Sequence, residues 1–301
     1  MKSRTSYTPQ ILASLVAVLA FGTAHAAEAT GGGSEFFYQA ASGTSDVTGH
    51  LGYRSFTYRD KTAGAKDVTV SGLDMLGVSY EYGINEMLAV GADLSYTAMK
   101  NKDADIKVNG LEDLQLSVKG VSPMGGMRLR YGALLGIPLQ KAEIKSDSIT
   151  PGVNDGDLGR STGGVALTPY VGADMDAGPG ILGARLSYEL KFKHQQKDPA
   201  FTGDVDVENG NVLGLAAFYE YMMSDMLFGA DLHYSMVAKD KIGGVEQTNS
   251  DKNIFGLDLY TRIPLMANAS IIPMLAYDFS GGSHYDKYSD LNISVAARFG
   301  F

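Results

Sequence analysis

From residue 47 to the end of the chain the hydrophobic positions recur every second residue. In Met87–Met99, Leu88, Val90, Ala92, Leu94, Tyr96 and Ala98 share one face, while Ala89, Gly91, Asp93, Ser95 and Thr97 share the other. Residues 181–193 repeat the pattern: Leu182, Ala184, Leu186, Tyr188, Leu190 and Phe192 oppose Arg185, Ser187, Glu189, Lys191 and Lys193. Successive side chains of a strand point to opposite faces, so a period of two predicts strands with one apolar and one polar surface. Twelve such runs are predicted, at 48–59, 69–83, 86–99, 110–122, 126–142, 160–176, 180–195, 209–222, 226–239, 251–264, 268–280 and 288–301.

The connections alternate in length. GIN (83–85), SPMGG (122–126), DAGPG (176–180), MSDM (223–226) and PLMANAS (264–270) are tight, whereas the intervening segments are longer and polar, the longest being 141–164. Short turns at one end and long loops at the other characterise bacterial outer-membrane barrels, whose lipid-facing and lumen-facing residues alternate. The predicted fold is therefore all-β: a transmembrane antiparallel up-and-down barrel of about twelve strands, with ten and fourteen as the neighbouring even counts. An even count puts both termini on the periplasmic side. A soluble sandwich or lipocalin-like barrel also alternates, but the second face here carries too many charges and glycines to be only a solvated exterior.

Lys or Arg at the bilayer midplane costs about 2–4 kcal/mol. Parity consequently sends Arg54, Lys119, Arg128, Arg130, Arg185, Lys191, Lys193, Arg262 and Arg298 to the lumen, with Glu81, Asp93, Asp113, Asp174, Glu189, Glu220, Asp231, His233 and Asp258 beside them as pore-lining residues. Lys119, Arg128 and Arg130 flank one short turn and form the tightest basic group. Asp74 and Asp278 fall on awkward parity, which predicts a bulge or a strand end near each.

The two ends of the chain add a route. Lys2 and Arg4, the apolar stretch 11–22 and Ala24-His25-Ala26 predict a secretory signal peptide over residues 1–26, too short to span a bilayer. Residues 27–46 are glycine-rich and precede the first confident strand, which predicts a flexible tail, although EFFYQA (35–40) offers a segment that could dock into the lumen or lengthen the first strand. The barrel proper is assigned to 47–301. At the far end, ISVAARFGF (293–301) places Ile293, Val295, Phe299 and Phe301 on odd positions. This last strand resembles the assembly signal of Gram-negative outer-membrane proteins. The resemblance implies that the assembly machinery recognises Phe299 and Phe301 and that the strand closes the sheet against the first. It implies a place in the outer membrane, among its lipid and lipopolysaccharide.

Charge and composition exclude several functions. Removing Lys2 and Arg4 from 25 basic residues leaves 23 against 34 acidic ones, a net charge of −11, which argues against a nucleic-acid partner. The absence of cysteine excludes thiol catalysis, thiolate metal sites and disulfides. Asp231-Leu232-His233 resembles the acid and histidine spacing of the omptin proteases, but only one acid stands in 91–98 and there is no tryptophan, so a lumen hydrogen-bond network is the favoured reading. Ser283-His284 are adjacent and cannot share a strand face. DVDVENGN (204–211) and NDGD (154–157) hold clustered oxygens but miss the calcium-loop spacing, and read as solvated acidic loops. No catalytic residue, cofactor or metal is assigned. The expected function is a narrow passive pore for ions or small hydrophilic solutes, the alternatives being a non-conducting structural or surface-binding barrel and an omptin-like hydrolase.

Overall fold

Alternation of apolar and polar residues produces long antiparallel strands that close on themselves. The computed structural model describes residues 34–60, 66–101, 107–140, 163–197, 204–247, 250–280 and 285–301. In chain order its strands are β1 (Ser45–Asp60), β2 (Val68–Asn85), β3 (Leu88–Asn101), β4 (Lys107–Leu111), β5 (Leu114–Met124), β6 (Met127–Ile137), β7 (Ala166–Ala177), β8 (Gly180–Lys191), β9 (His194–Lys197), β10 (Asp204–Glu208), β11 (Val212–Met223), β12 (Met226–Val237), β13 (Lys241–Ile242), β14 (Val245–Glu246), β15 (Lys252–Met266), β16 (Ala269–Ser280) and β17 (Tyr285–Gly300). Around the ring the order is β1, β2, β3, β5, β6, β7, β8, β11, β12, β15, β16, β17 and back to β1, a closed barrel of twelve. β4 continues the line of β5 beyond an interruption at Glu112 and Asp113, and both pair with β3.

Closure runs to the last residue. β1 and β17 pair from Asp46↔Gly300 through Tyr53↔Ile293 to Asp60↔Tyr285. Ser45 and Phe301 then exchange backbone hydrogen bonds, each N–H donating to the other's carbonyl at 2.9 Å. Each of the twelve ring strands pairs on both sides among the described residues, and an open edge in hydrocarbon would cost several kcal/mol per unpaired group. The outward residues are large and apolar: Leu51, Leu186, Leu257, Leu275 and Ile293 are exposed at mid-height. At the long-loop end Tyr234, Phe255 and Phe279 form a run of ring contacts, with centroids 4.5 and 5.8 Å apart, as in an interfacial aromatic girdle.

The tight turns follow local chemistry. Gly125 and Gly126 both have positive φ, +56° and +90°, the conformation a two-residue hairpin connection requires. Asp74 sits at a bulge: two residues, Met75 and Leu76, lie between the β2 partners of His50 and Gly52, where β1 has only Leu51. Met75 has φ 59°. That extra residue exchanges the faces along β2, so that Asp74 above it and Glu81 below it both turn inward. Asp278 needs no such device. It lies within β16, inward between the outward Tyr277 and Phe279, and the parity expectation for it is corrected.

The long-loop end is more ordered than a polar reading predicts. β9, β10, β13 and β14 form a separate small sheet in the order β14-β13-β10-β9. The alternate acids of DVDVE are strand alternation: Val207 is buried, Asp206 pairs with Lys193 at 2.7 Å and Glu208 with Lys241 at 3.3 Å. The acidic-loop reading of this stretch is therefore replaced by a strand with cross-strand charge pairs. Nearby, Asp67 accepts from Arg59 and Lys287, and these bonds hold its carboxyl down at about 2. The expectations for the signal peptide, most of loop 141–164, the NDGD stretch and Ser283-His284 fall outside the described residues.

Candidate functional site

Residues 34–44, upstream of β1, lie inside the barrel. This short segment touches residues from strands all round the ring, which only a chain in the interior can reach. Phe36 N–H donates to Glu220 Oε1 on β11 (2.8 Å) and Ala40 N–H to Glu81 Oε1 on β2 (2.7 Å). Tyr38 OH donates to Asp46 Oδ2 on β1 (2.5 Å), and the Tyr38 carbonyl accepts from Lys119 Nζ on β5 (3.2 Å). Arg298 on β17 donates to both Glu35 carboxylate oxygens, at 3.0 and 2.5 Å, while Arg262 on β15 stands 3.7 Å from the same group.

Aromatic packing completes the seat. Phe36 stacks on Phe218 with centroids 4.4 Å apart and 18° between planes, and Phe37 meets Phe218 edge-on at 5.5 Å. Arg130, Arg185 and Arg298 lie over the rings of Phe37, Phe36 and Tyr38 at 5.8, 4.7 and 3.4 Å. Gly172 is required beneath Phe37, since a Cβ there would come within 2.5 Å of the ring. All these anchors lie in the half of the barrel nearest the short turns. The segment is a strap, and the flexible-tail expectation for its residues is corrected: phenylalanines and a glutamate matched to inner glycines and arginines hold it.

The inner wall around the strap carries charges of both signs in contact. Lys119 donates to Glu81 at 2.5 Å. Asp174, buried on β7, accepts from Arg130 at 2.6 Å and also from Arg128, whose other arm reaches Asp176 at 2.9 Å. Hence Arg128 and Arg130 share Asp174 while Lys119 pairs separately with Glu81, and each of the three bases is neutralised by a carboxylate on another strand. Glu220 accepts from Tyr260 OH at 2.8 Å as well as from the strap. Nearer the long loops, Arg54 donates twice to Asp290, at 2.8 and 2.6 Å, and His50 meets Ser95 at 2.9 Å and Asp93 at 3.6 Å. Lys191 and Glu189 stand 3.5 Å apart near the top of β8. Lys193 lies beyond the end of that strand, exposed and paired to Asp206, so its assignment to the lumen is corrected. Asp113 lies in the interruption between β4 and β5.

At mid-height β12, β15 and β16 present three acids around one imidazole. His233 Nδ1 is 3.3 Å from Asp231 and 3.8 Å from Asp258, and its Nε2 is 2.9 Å from Asp278. Asp231, His233 and Asp258 bring potential ligand atoms within 4.8 Å of one another. Both ring nitrogens face carboxylates, so a hydrogen on either nitrogen has an acceptor in place. That is the geometry of a structural network. Asp46, Asp290 and Asp278 line the interior beyond the predicted set: Asp290 shares the inward parity of Arg298 on β17, whereas Asp46 precedes the predicted barrel and Asp278 reads as awkward until the register of β16 is known.

No family model matches the chain, and no curated protein matches it. Among solved structures, the COG4313 outer membrane channel from Pseudomonas putida F1 superimposes with a TM-score of 0.70 at 11% identity, over 89% of this chain and 99% of that one. The translocator domain of the autotransporter NalP from Neisseria meningitidis gives 0.51 at 11% identity, over 97% of each chain. The likeness is one of fold. Closed strand order, outward apolar residues and these two superpositions together give the chain the fold of a twelve-stranded outer-membrane β-barrel.

Proposed function

We propose that the barrel is a narrow passive pore of the outer membrane for ions or small hydrophilic solutes, and not an enzyme. One observation carries this reading: the inner wall presents acid and base side chains from the short turns up to the level of Arg54 and Asp290, above which Phe56, Tyr58, Val70 and Met99 form a buried apolar cluster, whereas a barrel serving only as wall could fill its whole interior with apolar side chains. Arg54 with Asp290, His50 with Asp93, and Arg130 with Asp174 mark successive levels. In this reading residues 1–26 direct export, the short turns and the strap face the periplasm, and the long loops meet lipopolysaccharide. Phe299 and Phe301 are what the assembly machinery engages. Twelve strands and an internal strap imply small solutes.

A second reading has its own support. The strap crosses the short-turn half of the interior, so a barrel sealed in its resting state is the alternative. Single-channel recording of the refolded mature chain, beside a variant lacking residues 34–41, decides between them. Small current steps in the intact chain support the pore. A sealed bilayer from correctly folded protein, with steps only from the shortened chain, supports the sealed barrel and overturns the passive pore.

A further inference from the structure

Above the strap lies a cavity of about 230 Å³ lined by Phe36, Arg185, Ser187, Asp231, His233 and Asp258 among others. We propose that it is a binding subsite for a compact solute carrying both a carboxylate and an ammonium group, an α-amino acid or a zwitterion of similar size. The proposal deepens the pore reading and rests on it for the route by which the solute arrives.

Arg185 is the basic group of this cavity. Every other described arginine is committed to a carboxylate: Arg54 to Asp290, Arg59 to Asp67, Arg128 and Arg130 to Asp174, Arg262 and Arg298 to Glu35. Arg185 has the face of Phe36, 4.7 Å from its guanidinium carbon, and no carboxylate oxygen within 4.0 Å among the described residues; Asp231 and Asp258 act on it only from beyond that distance. A ring face satisfies the charge of a guanidinium only in part and none of its five N–H donors. A carboxylate is the planar partner that a guanidinium fork matches best.

Two and three strands along the ring, β12 and β15 carry the complementary charge. Three carboxylates surround the single imidazole of His233, so negative charge is in surplus there. Asp258 Oδ1 is closed to solvent and has no hydrogen-bond partner. Leaving such an oxygen without a donor is costly, and more so when it is charged. An ammonium group brings three donors to that wall. A lone anion would meet Asp231 and Asp258, and a lone cation would meet Arg185, so the lining discriminates for a solute with both charges. The size agrees. Drug-sized ligands occupy roughly 300–1,000 Å³, and about 230 Å³ admits only something smaller.

Calorimetric titration of the refolded mature chain in metal-free buffer tests this without any need for current. The probes are L-alanine, propionate and n-propylammonium, which share a carbon skeleton and differ in charge. Alanine should bind, the two single-charge probes at least tenfold more weakly, and Arg185→Gln and Asp258→Asn should each weaken alanine tenfold or more while keeping the fold. Propionate binding as well as alanine, or alanine binding unchanged in Arg185→Gln, would overturn the zwitterion site. So would absence of alanine binding to a chain that conducts, which leaves the pore standing. Binding by a chain that does not conduct supports the subsite and removes the pore.

Discussion

Glu35 and Arg298, 263 positions apart in the chain, are joined by two hydrogen bonds of 3.0 and 2.5 Å. Few single contacts in this barrel connect so much of its construction. Arg298 belongs to the last strand, which closes the sheet, and Glu35 to the strap that precedes the first. Their pairing draws the beginning and the end of the described chain to one point inside the barrel, next to Arg262.

Breaking that point should release the strap and leave the barrel closed. Removing one member of a buried ion pair typically costs about 3–5 kcal/mol, because the partner charge is left uncompensated. Glu35→Ala strands two arginines, and the least expensive relief is for the strap to leave. The chain has no cysteine, so Ser34→Cys gives a single label site at a residue only 2% exposed. Maleimide labelling of that site should be slow alone and many times faster with Glu35→Ala added. Equal rates would show that Glu35 does not hold the strap.

Phe301 acts through its backbone as well as its ring. Deleting it removes both hydrogen bonds to Ser45 and the exposed aromatic that follows β17. Export should be unaffected and the amount reaching the outer membrane should fall, as measured by membrane fractionation against the intact chain. Normal outer-membrane levels would sink the assembly role of the terminus.

What the sequence revealed and what it hid divide along a physical line. The wall was legible because a strand repeats every two residues and lipid demands apolar side chains along the whole outward face; Leu182, Leu186 and Tyr188 state that plainly. Short strands such as β13 and β14 have too few residues to show a period. The strap has no period at all. Its only sequence signal is indirect, in inner positions left small: Gly172 beneath Phe37, and Gly183, where a Cβ would stand 2.5 Å from Phe218. Charge pairing was hidden for another reason. Parity gives the face of Arg128, Arg130 and Asp174, but only the register Arg128↔Asp174 puts them in contact.

A closed sheet resists detergent until it is heated. Unboiled and boiled samples should therefore migrate differently in detergent gels, and the heat-induced shift should come at lower temperature for His233→Gln, which weakens contacts among β12, β15 and β16. The same variant, and Asp231→Asn, should leave any peptidase activity of the sample unchanged. Loss of a measurable proteolysis in both would favour the omptin-like alternative over the structural network.

Ion selectivity should be set by the charge that no partner cancels. Lys119, Arg128 and Arg130 stand against Glu81, Asp174 and Asp176, so their combined field along the passage is small. Reversing all three to Glu would move selectivity toward cations, but it would also crowd carboxylates around Asp174. Arg185 gives the cleaner measurement. It faces the mid-height cavity without a contact ion pair, offset only at longer range by Asp231 and Asp258, and in a confined, low-dielectric passage such a charge acts on every passing ion, whereas exposed loop charges are screened beyond about 8–10 Å. Arg185→Gln should therefore shift the zero-current potential in a salt gradient toward cation preference by more than Lys119→Gln does. Reversal at Asp155 and Asp157 in the long loop should do least. A larger shift from the loop changes than from Arg185→Gln would mean that ions do not pass beside Arg185, and the pore reading would fail with it.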